Sequence, residues 1–388
     1  MSIYDIFRYG HGIFFVTLQA ALMAGVFLEW LKDRRACRLA SDVLGQTMPK
    51  VSVVIPVHNE AARIEGLLQS LALQDYGSVE FIFIDDRSTD SSPDLLQAFA
   101  EKRPETRIIR LEENPGPNHK QYALGRGISA SSGSLLLFTD ADCEVPPSWV
   151  SSMALRMADE KVGALIAPVF KKRAGPGFFH LYQCYDHIVR YIYLAGAVGL
   201  GAGGGGFGNN LMLRRESLEK IGGYDAVPPS PTEDAALVSE LRARKVCKIR
   251  AAAGADVFVK TGAENSWKDF ISQTLRWNNG GVFSPDVGTR INFNLLMLVI
   301  STGILAIPLL PFFPGLWPMP LGVFIVMLMN TAAALGPFRS GLPRAGAAYI
   351  IQLLFTPVYF TFLTILGYCR VKVKWKGSAV SGISHRAR

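Results

Sequence analysis

The chain has 388 residues, of which 49% are hydrophobic and only 19% charged, with a formal net charge of +8 at neutral pH. That balance excludes an ordinary soluble enzyme, and leaves room for one large globular domain plus several helices in lipid. The basic residues gather beside apolar stretches, where they would meet anionic headgroups, which argues against a nucleic-acid partner.

The first apolar run, Gly12 to Trp30, approaches the roughly 20 residues needed to cross a bilayer. Lys32, Asp33, Arg34, Arg35 and Arg38 follow it, so the positive-inside rule places the central part of the chain in the cytoplasm. No basic region precedes the run and no clear small-x-small site follows it, which favours an uncleaved anchor over a signal peptide. The five cysteines, Cys37, Cys143, Cys184, Cys247 and Cys369, lie far apart without metal-ligand spacing and read as reduced structural thiols.

From Lys50 strand and helix patterns alternate. Val51 to Pro56 is a buried-strand run, and Glu60 to Ala72 carries Ile64, Leu67, Leu68 and Leu71 at helical spacing. Val79 to Ile84 is a second strand ending at an acidic turn, followed by a helix over Ser91 to Lys102. Arg107 to Leu111, Lys120 to Ser131 and Ser134 to Thr139 repeat strand, helix and strand. The rhythm predicts a doubly wound, mostly parallel α/β sheet. Ligands of such sheets collect beyond the carboxyl ends of the strands, where Asp85, Asp86, Asp140 and Asp142 all fall. The plainer alternative is that these residues are turn formers.

The short polar motifs carry the chemistry. Asp140-Ala-Asp142 suits a hard ion, Mg2+ or Mn2+, held by one or two carboxylates plus phosphate oxygens. Asp142 is the first candidate ligand, and Asp140 serves ribose or the same ion. Asp85 and Asp86 are suited to the base and ribose of a nucleotide, Ser88 and Asp90 to capping the next helix. Lys120 either touches phosphate or is a solvated charge. Thr232-Glu233-Asp234 follows Pro228 to Pro231 and precedes a helical run, Ala235 to Lys245. Asp234, with Glu233 beside it, is the candidate to take a proton from an acceptor hydroxyl, although helix N-termini favour acidic residues in any case.

Between these motifs, Gly199 to Gly208 fits the G-x-G-x-x-G spacing at Gly201, Gly203 and Gly206, but no strand-turn-helix unit surrounds it. It reads instead as a mobile loop that lets backbone approach an acceptor, with Asn209 and Asn210 offering amides, or as a plain flexible connection. Gln273, Arg276 and Trp277 share one helix face. Arg276 is suited to diphosphate and Trp277 to an acceptor wall, while Trp267 and Phe270 read as interfacial anchors.

The series VSVVIPVHNE, FIFIDDRSTD, LLLFTDADC, GFGNNLMLRRESLEKIGGYD, TED and QTLRW, between Val51 and Trp277, resembles membrane-bound family 2 glycosyltransferases. That inverting group includes cellulose, hyaluronan and ceramide-glucose synthases. The resemblance implies a GT-A fold, a UDP-sugar or similar donor, and Mg2+ or Mn2+. It implies nucleotide binding by Asp86 and Asp85, in a donor set with Pro56, Glu60, Lys120 and Asp140. Asp142 would hold the metal with Asp140, Asp234 would be the base beside Glu233, and Gln273, Arg276 and Trp277 would enclose donor and acceptor.

Departures from the group shape the expectation. The chain lacks the larger set of membrane helices with which cellulose synthases build a channel, and its glycine loop is unusually rich. Single transfer to a lipid or lipid-linked acceptor is therefore expected, the acceptor arriving along amphipathic segments such as Phe178 to Leu194 and Trp267 to Trp277. A processive polysaccharide synthase is the alternative within the group. A nucleotidyltransferase, or a non-catalytic membrane assembly protein, is the alternative from other classes.

The expected organisation is an anchor and basic linker over 1–48, a catalytic domain over 49–290, apolar helices over 291–370 and a basic tail over 371–388. This describes an integral protein of a bacterial inner membrane with a cytoplasmic catalytic domain. If Phe293 to Leu310, Leu321 to Leu335 and Ala347 to Tyr368 all cross, the tail with Arg370, Lys372, Lys374 and Lys376 ends outside, against the positive-inside rule. Pro357 marks the last of them as the candidate re-entrant segment.

Overall fold

A computed structural model describes residues 3–40, 48–203, 205–230, 232–284, 286–343, 348–371, 373–375 and 378–380. Pro231, the linker from 41 to 47 and most of the basic tail lie outside the described residues. In chain order the elements begin with α1 (Ile3–Ala40), β1 (Val51–Val57), α2 (Glu65–Ala72), β2 (Val79–Asp86), α3 (Ser92–Lys102), β3 (Thr106–Leu111), α4 (His119–Ala130) and β4 (Leu135–Phe138). Next come α5 (Trp149–Arg156), β5 (Val162–Ile166), β6 (Val169–Lys171), α6 (Phe178–Gly199), β7 (Leu211–Arg214), α7 (Arg215–Glu219), α8 (Glu233–Ala243), β8 (Lys248–Ala251) and β9 (Val259–Thr261). Helices α9 (Trp267–Val282), α10 (Val287–Leu305), α11 (Pro318–Leu335) and α12 (Ala348–Tyr368) follow.

The chain divides into two units, each discontinuous in sequence. The first to be described comprises Phe27–Lys172 and Gly203–Gly262. Its seven-stranded sheet has the order β3-β2-β1-β4-β7-β5-β8. β1 pairs in parallel with β2 and β4, β2 with β3 and β5 with β8, whereas β7 runs antiparallel to both β4 and β5. The sheet is therefore mostly parallel, as the alternating pattern predicts.

Alternation along the strands sends side chains to both faces. Val51, Val53, Ile55, Phe81 and Phe83 join Leu67, Leu71, Leu96, Phe99 and Trp149 in one buried core under α2, α3 and α5. On the other face α4 lies so close that a Cβ on Gly127 would come within 2.6 Å of Val54 and Ile84 side chains, which is why that helix carries a glycine there. The boundaries of β2 and α2 differ from the sequence pattern for identifiable reasons. β2 continues to Asp86 because Asp85 and Asp86 still pair with Arg110 and Leu111 of β3. α2 begins at Glu65, after a turn over 61–64.

The other unit comprises Met1–Val26, Arg173–Ala202 and Ala263–Arg388. Among the described residues three helical stretches are long and apolar enough to cross a membrane: Tyr4–Arg38, Val287–Leu309 and Pro314–Leu335. α12 is likewise apolar along its described part, Gln352–Tyr368. Phe15, Tyr182, Phe270, Ile300, Val326, Met327, Tyr359 and Leu363 share a buried core, whereas Ile13, Leu298, Phe312 and Leu354 are exposed. Small residues let these helices touch backbone to backbone. A Cβ on Gly199 would lie 2.1 Å from the Gly25 carbonyl oxygen, and one on Gly25 would lie 2.2 Å from that of Gly196. Gly199 thus closes a helix rather than opening a loop.

Candidate active site

The site is built at the carboxyl ends of β1, β2 and β4 and at the start of α8, all within the first unit. Two left-handed residues shape the β1 and β2 ends: Asn59 at φ +53° and Arg87 at φ +58°. Asn59 stitches the loops together, its Oδ1 accepting from Thr89 N at 2.8 Å while its own N–H donates to Ser88 Oγ at 3.0 Å. Ser88 therefore braces the loop after β1 and is not a helix cap. Asp90 does serve the helix start, accepting from Ser92 N at 3.0 Å, and it also accepts from Ala61 N at 2.9 Å.

Of the two aspartates at the end of β2, Asp85 is only 1% exposed. Its Oδ1 accepts from Ser88 N at 3.0 Å and its Oδ2 lies 3.5 Å from Arg110 Nη1. One of its oxygens is thus held by the turn, while Oδ2 accepts no hydrogen bond among the described residues. Asp86 accepts from Arg87 Nε and from Asn114 Nδ2, each at 2.9 Å, and its carbonyl lies 2.5 Å from His58 Nδ1. Glu60 is buried and pairs with Arg63 at 2.7 Å, and Pro56 sits in β1 beside Ile84, so both lie at the floor of this end of the sheet.

Lys120 is the centre of the arrangement. Asn118 caps α4 by accepting from Gln121 N at 3.2 Å and donates to Ser230 O at 2.6 Å. Gln121 Nε2 adds a bond to Val227 O at 3.0 Å, so the start of α4 is tied to the proline-rich segment before α8. Lys120 Nζ then lies 2.6 Å from Asp140 Oδ1 and 3.3 Å from Glu233 Oε1. One ammonium thus joins two motifs nearly a hundred residues apart. Burial works against its charge, but Asp140, Glu233 and Asp234 outweigh that and hold its pKa well above the ordinary lysine value.

Asp234 is gripped by backbone. Its Oδ2 accepts from Gly208 N at 2.6 Å and its Oδ1 from Ala235 N at 2.8 Å. A Cβ on Gly208 would lie 3.1 Å from the Asp234 Cβ, so the end of the glycine run allows the close approach that this bond needs. Burial, then the Glu233 carboxylate, push the Asp234 pKa up to about 6 against the pull of Lys120 and the two amides. A small cavity beside it is lined by Leu124, Phe138, Tyr224 and Leu237.

Asp142 is partly exposed, and one oxygen accepts from Thr261 Oγ1 at 3.1 Å. No group of three or more His, Cys, Asp or Glu is gathered for a metal among the described residues. Asn210 departs from expectation outright. It is fully buried, donates to Pro168 O at 2.9 Å and Val257 O at 2.8 Å, and accepts from Trp149 Nε1 at 2.9 Å. Its amide clamps the scaffold and has nothing left for a substrate, whereas Asn209 is partly exposed.

Gln273, Arg276 and Trp277 belong to the other unit, on α9. Gln273 Nε2 donates to Glu264 Oε1 at 2.7 Å, and Glu264 N donates to Gln183 Oε1 at 2.8 Å. The Arg190 guanidinium lies over Trp277, 5.5 Å from its ring centre, and is held by Asp186 at 2.8 and 3.1 Å. Trp267 is 38% exposed, but Phe270 is 1% exposed and stacks on Tyr359, so Phe270 is core and not an interfacial anchor.

Sequence reasoning missed Asn59, Asn114, Tyr224 and the Lys120 bridge. Asparagine after a strand was a legible signal for Asn59, since Asn tolerates left-handed backbone. The others depend on distant pairing.

Residues 52–222 match the family described as Glycosyl transferase family 2. A beta-monoglucosyldiacylglycerol synthase of Nostoc sp. is 25% identical over 280 residues, covering 68% of this chain and 58% of that protein. The probable glycosyltransferase YdaM of Bacillus subtilis is 26% identical over 239 residues, covering 56% of this chain and 54% of its own. The chain thus spans a little over half the length of these curated relatives. A mannosyltransferase from Pyrobaculum calidifontis, solved in complex with GDP-Man and Mn2+, matches with a TM-score of 0.52 at 19% identity over 90% of this chain and 99% of that one. The fold is of GT-A type, a mixed, mostly parallel α/β sheet with long apolar helices toward both ends of the chain.

Proposed function

On the match of residues 52–222 to glycosyl transferase family 2, we propose that this chain is a glycosyltransferase that moves a sugar, with inversion, from a nucleotide-sugar donor to a lipid or lipid-linked acceptor. The observation that carries the reading is the Lys120 bridge between Asp140 and Glu233, which sets the Asp-Ala-Asp turn and the Asp234 carboxylate around one point.

In this reading Asp86 and its neighbours bind the nucleotide, and Lys120 faces the diphosphate. The acceptor hydroxyl oxygen bonds to the anomeric carbon, the bond to the nucleoside diphosphate breaks, and the hydroxyl proton passes to Asp234. The Gly208 and Ala235 amides keep that carboxylate aimed, and its raised pKa suits a base working near neutrality. Asp142, with Asp140, offers the one or two hard oxygen ligands that suffice for Mg2+ or Mn2+ when phosphates and water complete the shell, so the residues present fit a metal. When bound, such an ion neutralises charge developing on the departing diphosphate. Gln273, Arg276 and Trp277 are assigned to acceptor and diphosphate on the motif they form.

The lipid acceptor draws on two supports: the apolar helices, and the relative named for diacylglycerol. A membrane location with the catalytic unit in the cytoplasm follows from the same helices and the basic residues after Trp30. The deciding experiment presents labelled nucleotide sugars to the purified chain in membrane-lipid extract with Mn2+ or Mg2+, with Asp234→Asn as control. Label in one lipid-soluble product is expected. Label in a large water-soluble product would replace single transfer with processive synthesis, and equal turnover by Asp234→Asn would remove that residue from its role.

A further inference from the structure

The end of α1 has two chemically opposite faces. Glu29 and Asp33, one helical turn apart, are 2% and 4% exposed. Glu29 meets the end of β8, the edge strand of the sheet, and Asp33 meets the chain just beyond it. Ala252 donates its N–H inward to Ile166 O at 2.9 Å, so the N–H groups on either side of it point outward. Glu29 Oε2 accepts from Ala251 N at 3.1 Å, and Asp33 Oδ2 accepts from Ala253 N at 3.2 Å.

The match is one of geometry. Four residues of helix rise about 6 Å and two residues of strand about 6.6 Å, so an i, i+4 pair of carboxylates meets alternate edge amides. Arginines complete the lock. Arg250 Nε donates to Glu29 at 2.7 Å, and Arg156 grips Asp33 at 2.7 and 3.2 Å while also pairing with Asp256. The exposed edge that would otherwise invite pairing with another chain is thereby covered.

The opposite flank is basic and aromatic. Phe27 and Trp30 stack at 5.7 Å, and the Arg34 guanidinium lies 4.9 Å from the Trp30 ring centre. Leu28, Leu31, Arg34 and Arg35 are all exposed, whereas Lys32 turns back to Glu29 at 2.8 Å. This flank continues the apolar stretch Tyr4–Arg38 and has the composition of a membrane–water interface: aromatic rings at headgroup level with cations beside them.

We propose that residues 27–38 of α1 form a two-sided clamp, in which Glu29 and Asp33 lock onto edge strand β8 and the residues just after it while Trp30, Arg34 and Arg35 bind anionic phospholipid headgroups. The catalytic unit then carries its own lipid-binding surface on its first element. The proposal rests on α1 entering a membrane and does not depend on which reaction the site performs.

Native mass spectrometry of the full chain, released from nanodiscs of phosphatidylcholine with or without phosphatidylglycerol, tests the outer face. Arg34→Gln with Arg35→Gln is expected to weaken phosphatidylglycerol retention roughly thirtyfold, at about one kcal/mol per cation. Retention of phosphatidylcholine stays unchanged. Lys161→Gln with Lys245→Gln removes the same charge elsewhere on the unit and is expected to retain the lipid. Unchanged retention in the arginine variant, or equal loss in the lysine control, overturns the outer face. For the inner face, Asp33→Asn is expected to speed amide exchange at Ala253 at least tenfold while Val53 and Val54 stay protected. Should that variant not accumulate, Glu29→Gln gives the same readout at Ala251. Unaltered exchange at these amides overturns the lock.

Discussion

At the scale of single residues, Asp234 as the proposed base is expected to set the pH behaviour. Its pKa of about 6 lies above the ordinary aspartate value, so activity that needs the carboxylate is expected to rise through pH 6 and level off above it. Lys120 pulls that value down, so Lys120→Met should move the midpoint of the kcat/KM profile upward, and an unmoved midpoint would separate Lys120 from the base. The stability sign runs the other way from activity. A carboxyl whose folded pKa is raised contributes stability below its unfolded value and loses it as pH rises through the folded one. Asp234→Asn is therefore expected to melt higher than the parent at pH 7.5, and by less at pH 5, while turnover falls at least about 100-fold. Melting scans at the two pH values check it. The two asparagines after the glycine run divide just as sharply. Asn210→Ala strips three buried hydrogen bonds and should lower stability by about 3 kcal/mol in denaturant titration, whereas Asn209→Ala should leave it within about 0.5 kcal/mol. Adjacent asparagines looked interchangeable in the sequence because nothing local records that Trp149 and Val257 fold against one of them.

At the scale of elements, legibility followed the range of the forces involved. β1, β2, β4 and the helices between them were readable because unbroken apolar runs and helical spacing are local signals. The ends were not: β2 reaches Asp86 only because β3 pairs with it there, and α2 starts late because its first turn is replaced by loop contacts to Ser92 and Asp90. The glycine run was the hardest stretch. Its composition announced close approach without saying to what, and it serves two different ends. Gly199 and Gly196 let α6 lie against Gly25 of α1, while Gly208 lets a backbone N–H reach Asp234. Substitution separates these uses. Gly199→Ala puts a methyl 2.1 Å from a backbone oxygen that side-chain rotation cannot relieve, so lower thermal stability in detergent is expected. Gly208→Ala meets the Asp234 side chain at 3.1 Å and should lower kcat by about tenfold or more, with the melting temperature little changed. A fall in stability with normal kcat for Gly208→Ala would return that residue to a merely structural place.

At the scale of the whole molecule, the sequence carried the number of apolar segments but not which of them cross. Among the described residues three stretches have the length and hydropathy to do so, and α12 is apolar as well but carries a proline in its interior. That last helix contains Pro357, which has no N–H to offer the Leu353 carbonyl one turn earlier, while Thr361 Oγ1 donates back to the Pro357 carbonyl at 2.8 Å. If α1, α10 and α11 cross and α12 does not, the chain beyond Tyr368 returns to the side that holds the basic residues after Trp30, in accord with the charge rule. Cys369 is exposed and immediately follows α12, which makes it a natural reporter. In sealed vesicles with the catalytic unit inside, a membrane-impermeant maleimide is expected to leave Cys369 unlabelled until the vesicles are opened. Labelling from outside would mean that α12 crosses after all, and the basic residues from Arg370 onward would then stand against the rule that the other end of the chain obeys.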